Sequence, residues 1–96
     1  MSAYVIIKIK TENPALLKDY QAVAPAIIEQ FQGKFLARGG EVERLEGTEE
    51  VRRTVIIEFP SLEIANAFYD SEAYQHAISL REGAATAEIL AVGGIP

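Results

Sequence analysis

Strand-like alternation and helical spacing follow one another along this chain in a single order, and that order leaves few folds open. Tyr4 to Lys10 reads YVIIKIK, with Val5, Ile7 and Ile9 on one side and Tyr4, Ile6 and Lys8 on the other, the two-residue period of a strand. Asn13-Pro14 then supplies a helix N-cap followed by proline at the first helical position, where its missing N–H costs nothing. Leu16, Leu17, Tyr20, Val23, Ala24, Ile27, Ile28 and Phe31 recur at helical spacing in one broad apolar stripe that ends at Gly33. Pro25 lies deep inside this stripe and predicts a kink, or a break into two shorter helices, near Val23 or Ala24.

The second part of the chain repeats the pattern. Gly33 to Gly40 (GKFLARGG) reads as a strand with Lys34, Leu36 and Arg38 on one face. Glu41 to Leu45 and a tight turn at Glu46-Gly47 predict a solvated hairpin arm that returns as a strand over Arg52 to Phe59. In that strand Val55, Ile57 and Phe59 oppose Thr54, Ile56 and Glu58. Pro60-Ser61 caps a helical region that pauses at Asp70-Ser71, restarts with Glu72 in its first turn and Arg81 in its last, and stops at Gly83. Ala87 to Val92 is the last strand, with small residues on one face.

Strand, helix, strand, strand, helix, strand is the split βαβ order of an α+β, ferredoxin-like fold: a four-stranded antiparallel sheet with helices on one face. Residues 1–96 are expected to form one domain, which at this size buries only about two thirds of its unfolded surface. The other sheet face would carry Tyr4, Ile6 and Lys8, Lys34, Leu36 and Arg38, Thr54, Ile56 and Glu58, and Glu88, Leu90 and Val92, too apolar for open solvent and too charged for an ordinary core. A homodimer packed sheet to sheet, a dimeric α+β barrel with a charged cleft, resolves this. A net charge of −5 argues against nucleic acid or an anionic membrane as partner. With no cysteine there is no disulfide, thiolate metal site or cysteine nucleophile. Met1-Ser2-Ala3 runs directly into an apolar strand of about seven residues, too short for a signal h-region or a membrane span, so a soluble cytoplasmic protein is expected.

The segments GKFLARGG, LEG, RTVIIEFPS, AFYDSEAYQ and LREGA, taken together, resemble the family known as domain of unknown function thirteen-thirty over nearly the whole chain. Gly33 to Gly40, Phe59-Pro60-Ser61 and Ser71 to Gln75 are the most specific parts of the resemblance. It implies the dimeric α+β barrel superfamily, whose members include cofactor-independent quinone-forming monooxygenases, muconolactone isomerases, haem-degrading enzymes and ligand-sensing domains. Fold alone therefore selects no activity. Val92-Gly93-Gly94 stands where such sequences often show Val-Glu-Gly, so no role is carried over for that glutamate.

Two cations on a half-buried strand face need a partner, because an unpaired buried ion costs several kcal/mol. A one-residue bulge at Gly39-Gly40 would set Arg38 opposite Thr54, Leu36 opposite Ile56 and Lys34 opposite Glu58, predicting a Lys34–Glu58 ion pair and leaving Arg38 to meet an anion. Arg38 would anchor an acidic or quinonoid small molecule and stabilise oxyanion charge, with Glu58 or His76 as base. Lys34, Tyr20, Tyr69 and Tyr74 are further ligand-binding candidates. The competing reading satisfies both cations structurally through Glu58, Glu88 and carbonyls across a dimer, packs the tyrosines as core and leaves His76 exposed. Arg53 and Arg81 read as solvated or interface charges, and Ser61 and Ser71 as helix caps. No phosphate loop, dinucleotide fingerprint or metal-ligand cluster is present, and the one histidine lies off the mixed face, so no cofactor is expected.

Overall fold

Alternation decides which side of each strand is buried. The computed structural model describes residues 1–96, in the order β1 (Ala3–Thr11), α1 (Pro14–Gln30), β2 (Lys34–Arg38), β3 (Arg53–Phe59), α2 (Leu62–Asp70), α3 (Glu72–Ser79) and β4 (Ala85–Gly93). The four strands form one antiparallel sheet in the order β2-β3-β1-β4, the ferredoxin-like arrangement expected from the element order. Val5, Ile7 and Ile9 of β1 and Val55, Ile57 and Phe59 of β3 are buried on one face, where the helices cover them. The opposite face is bare, and Leu90 and Val92 of β4 stand there 56% and 47% exposed.

Local chemistry places the helix ends. Asn13 Oδ1 accepts from the Leu16 N–H at 3.4 Å with Pro14 behind it, Ser61 Oγ accepts from Ile64 at 3.1 Å, and Ser71 Oγ accepts from Tyr74 at 3.1 Å. Of the kink or break expected near Pro25, the break does not occur: α1 is one helix of 17 residues with Pro25 inside it. The carbonyl that loses its donor to Pro25 belongs to Gln21, an exposed residue, so water can satisfy it. At the C-terminus the Gln32 N–H donates to Glu29 at 2.9 Å and the Gly33 N–H to Ile28 at 2.8 Å, a Schellman closure in which Gln32, at φ 64°, takes the left-handed position usually given to glycine. Gly33 is needed for a different reason: a Cβ there would meet Ile28 Cγ2 at 2.6 Å and Phe59 Cε1 at 2.8 Å.

Two further expectations are corrected. Glu41 to Leu45 forms no strand, and the connection from Gly39 to Arg52 has no regular structure. Its residues are almost all exposed, so no packing against a sheet face holds them extended. Helix α3 ends at Ser79, short of Arg81, and Gly83 takes φ 77° in the turn that leads into β4.

Behind the sheet, Phe59, Phe68 and Tyr74 form an aromatic row, with ring centroids 5.0 Å apart for Phe59–Phe68 and 4.3 Å for Phe68–Tyr74. All three are essentially fully buried, and they join both short helices to the sheet.

Candidate ligand cavity between the sheet and helix α1

One residue decides where Arg38 points. Strand β2 pairs Lys34 with Glu58 and Phe35 with Ile57, then resumes with Ala37 opposite Ile56 and Arg38 opposite Val55. Leu36 is the extra residue of a bulge. An inserted residue reverses the side taken by everything after it. Lys34 therefore lies on the open face with Glu58, whereas Arg38 turns to the helix side with Val55. The bulge expected at Gly39-Gly40 lies instead at Leu36, and Lys34, Leu36 and Arg38 do not share one face.

On the helix side, Arg38 meets a cavity of about 300 Å³. Ile7, Ile9, Leu17, Ile28 and Val55 give it apolar walls, and Tyr20 closes one side. Arg38 and Arg53 are its only charged lining residues. The Arg38 guanidinium lies 4.3 Å from the centroid of the Phe35 ring, a cation–π contact that leaves its N–H edge free for an anion. Arg53 is two residues before Val55 on the same side of β3 and pairs with buried Ile9 across β1, so it projects towards α1. Its guanidinium lies over Gly39, where a Cβ would fall within 3.0 Å of Nε, Nη2 and Cζ. Gly39 has φ 71°, a second reason for glycine at this position.

Tyr20 belongs to this site and Tyr74 stands behind it. Their hydroxyls are hydrogen-bonded at 2.7 Å, and both residues are buried. Burial, and then the neighbouring Tyr20, push the Tyr74 hydroxyl well above the usual tyrosine range. Arg81, expected as a solvated or interface charge, is only 7% exposed within the single chain; its guanidinium lies 5.0 Å from the Tyr20 ring centroid and its Nε has no hydrogen-bond partner.

The remaining candidates lie elsewhere. Tyr69 is 42% exposed and lines a smaller pocket between α2 and β4. His76 is exposed on α3 and lines no cavity described here. Glu58 lies on the open face, accepts from Tyr4 Oη at 3.4 Å and forms no ion pair with Lys34, although the two are cross-strand partners. The expected Lys34–Glu58 ion pair is thus replaced by a tyrosine contact. The ion pairs that do form use other residues: Glu50 holds Lys8 at 3.1 Å and Arg52 at 3.0 Å, and Arg52 also reaches Glu88. Hydrogen bonds from Arg52 first and Lys8 second hold the Glu50 carboxyl down at about 2. No group of three or more His, Asp or Glu side chains is placed to hold a metal ion.

Arg53 was the site residue that the sequence reading missed, and the signal for it was present. Extending the period of Phe59, Ile57 and Val55 by one step reaches Arg53 on the same buried face.

A family model described as a domain of unknown function (DUF1330) matches residues 2–95. Among solved structures, the chain is similar to a dimeric ferredoxin-like protein of unknown function from Jannaschia sp. CCS1, at 10% identity and TM-score 0.74, covering 98% of this chain and 100% of that one. It is similar to a protein of unknown function from Rhodopseudomonas palustris, at 17% identity and TM-score 0.73, covering 99% and 83%. It is also similar to SnoaB, a cofactor-independent oxygenase from Streptomyces nogalater, at 11% identity and TM-score 0.70, covering 99% and 94%. At these identities the likeness shows the fold alone. Among curated proteins, none matches.

Proposed function

The chain belongs to the family described as a domain of unknown function, DUF1330, a label that carries no reaction, and from its own geometry we propose that it binds an acidic or oxygenated small molecule between sheet and helix α1 and acts on it without a cofactor. The observation that carries this reading is the bulge at Leu36, which turns Arg38 from the open sheet face to the mouth of an apolar cavity. A planar guanidinium beside an apolar chamber can orient a ligand oxygen and stabilise negative charge that develops on it. SnoaB, a cofactor-independent oxygenase, has the same fold, which makes this class of chemistry a reasonable first assay.

The second reading is a binding module without chemistry. It draws on the cavity lining, which contains no carboxylate and no histidine to serve as a base. Glu58 and His76 would serve as bases only for a ligand held outside this cavity, Glu58 in a cleft between two sheets. A panel of quinols, lactones and hydroxy acids, assayed with wild type and Arg38→Ala, separates the two readings. Turnover that falls at least tenfold in the variant supports the enzyme. Saturable binding without turnover on any substrate supports the module, and equal rates in both proteins remove Arg38 from the mechanism.

The same reading makes the protein a homodimer through the open sheet face. A slab 36 by 36 by 16 Å with exposed Leu36, Leu90 and Val92 on its bare side supports this, as does the dimeric description of the Jannaschia protein. Light scattering should give twice the chain mass for wild type and the chain mass for Leu90→Glu; a monomeric wild type overturns the assembly. No helix is long and apolar enough to cross a membrane, and we place the protein in the cytoplasm.

A further inference from the structure

Two arginines reach the same cavity mouth without a counter-charge. Arg38 lies opposite Val55 and Arg53 two residues before Val55, so the pair are diagonal neighbours on adjacent strands, about 7–8 Å apart at the backbone and within reach of one another's ligands. Neither meets a carboxylate within 4 Å: Glu50 and Glu88 are taken by Lys8 and Arg52, and Glu58 lies on the opposite sheet face. In a chain of net charge −5, two unpaired guanidiniums side by side are an exception to the overall field, and an anion between them would relieve their mutual repulsion. Both are also seated rather than loose, Arg38 on the Phe35 ring and Arg53 against the side-chain-free backbone of Gly39. Seated donors lose less freedom on binding than floppy ones.

Resting on the cavity reading above, we infer that Arg38 and Arg53 form a carboxylate clamp, and that the ligand class is a compact hydrophobic carboxylate whose apolar body enters the chamber while its carboxylate stays at the mouth. A volume of about 300 Å³ lies at the lower edge of small-molecule pockets, roughly 300–1,000 Å³, which suits one or two fused rings. Apolar walls favour a body without polar groups, because away from the arginines a buried hydroxyl would find a partner only near Tyr20 or Gln21. A planar carboxylate matches the guanidinium fork with two parallel hydrogen bonds. Sequence reading assigned no role to Arg53, and the clamp makes it the partner of Arg38.

The test uses 2-naphthoate and its neutral counterpart 2-naphthamide as probes, titrated by calorimetry and by NMR into wild type, Arg53→Gln and Arg38→Gln. Two variants at separate positions, Arg38 exposed and Arg53 half-buried, guard against failure of either one to fold. Wild type is expected to bind the carboxylate at least tenfold more tightly than the amide, with shifts at Ala24 and Ile28. Each variant is expected to lose about tenfold or more of carboxylate affinity and none of the amide affinity. Equal affinity for the two probes, or carboxylate affinity unchanged in both variants, overturns the clamp and leaves the cavity reading standing. Absence of shifts at Ala24 and Ile28 with either probe overturns both.

Discussion

The guanidinium of Arg53 rests against the backbone of Gly39, in space that the side chain of any other residue would claim. Gly39→Ala should therefore do two separable things. The left-handed backbone at φ 71° should cost about 1–2 kcal/mol of stability, and the new methyl should push Arg53 from its seat. Gly47→Ala is the control, since Gly47 also has positive φ, at 97°, but a Cβ there meets nothing closer than Arg44 Cδ at 4.0 Å. Urea unfolding should show a similar loss for both variants, while weakened 2-naphthoate binding should follow Gly39→Ala alone.

Leu36 offers a test of register. In the bulged ladder Leu36 is the surplus residue, so its deletion leaves Phe35 opposite Ile57, Ala37 opposite Ile56 and Arg38 on the helix side. The shortened chain should fold and retain binding at the cavity. If β2 ran as a regular ladder, the same deletion would flip Arg38 to the other face and abolish binding. NMR shifts at Val55 and Ile57 on addition of 2-naphthoate distinguish the two outcomes.

What could be read from the sequence divides along the same line. Asn13, Ser61 and Ser71 were recognisable as caps because a cap is a bond between a side chain and an N–H two or three residues away. The side taken by each residue of β1 and β3 was equally legible, because unbroken alternation carries it. Leu36 was not, since a bulge is settled by which register of β3 packs best and leaves little mark on β2 itself. Gly39-Gly40 looked the better bulge site by composition, yet Gly39 serves a turn and an arginine. The region 41–45 reads as a hairpin arm from its place before the Glu46-Gly47 turn and forms no strand, because its residues are exposed and no sheet neighbour pairs with them. The burial of Arg81 within its own chain is not legible, because it depends on the Tyr20 ring, far away in sequence.

Tyr74 should show its environment in alkali. Its hydroxyl is buried and bonded to that of Tyr20, so the folded state holds the proton above the ordinary value of 10.0. For a raised pKa the stabilising effect is fully present below the unfolded value and is lost as pH rises, because the unfolded chain ionises first. Stability should thus decline above about pH 10, and Tyr74→Phe should lessen that decline. At neutral pH the same variant leaves the Tyr20 hydroxyl without its partner and should cost about 1–3 kcal/mol. The double change Tyr20→Phe/Tyr74→Phe should recover part of the loss, since no orphan remains; a double variant as unstable as the sum of the singles would count against the pair acting as a unit.

Glu50 makes the converse prediction in acid. Its side chain is 10% exposed, and it joins the irregular connection to the sheet by holding Arg52 and Lys8, with Arg52 in turn reaching Glu88 on β4. Its carboxyl is lowered from 4.5 to about 2, chiefly by Arg52 and then by Lys8. A lowered pKa stabilises the fold above the unfolded value, and the effect disappears as pH falls through the folded one. The window for Glu50 is therefore about pH 4.5 down to 2. Between those values wild type should lose stability more steeply than Glu50→Gln, and the two curves should draw together towards pH 2. Added salt should shrink the difference, since the cluster lies on the open side of the sheet and part of it faces solvent. Chemical unfolding across the range at two salt concentrations measures all three effects, and parallel curves for the two proteins would show that the Glu50 contacts do not contribute to the folded state in solution.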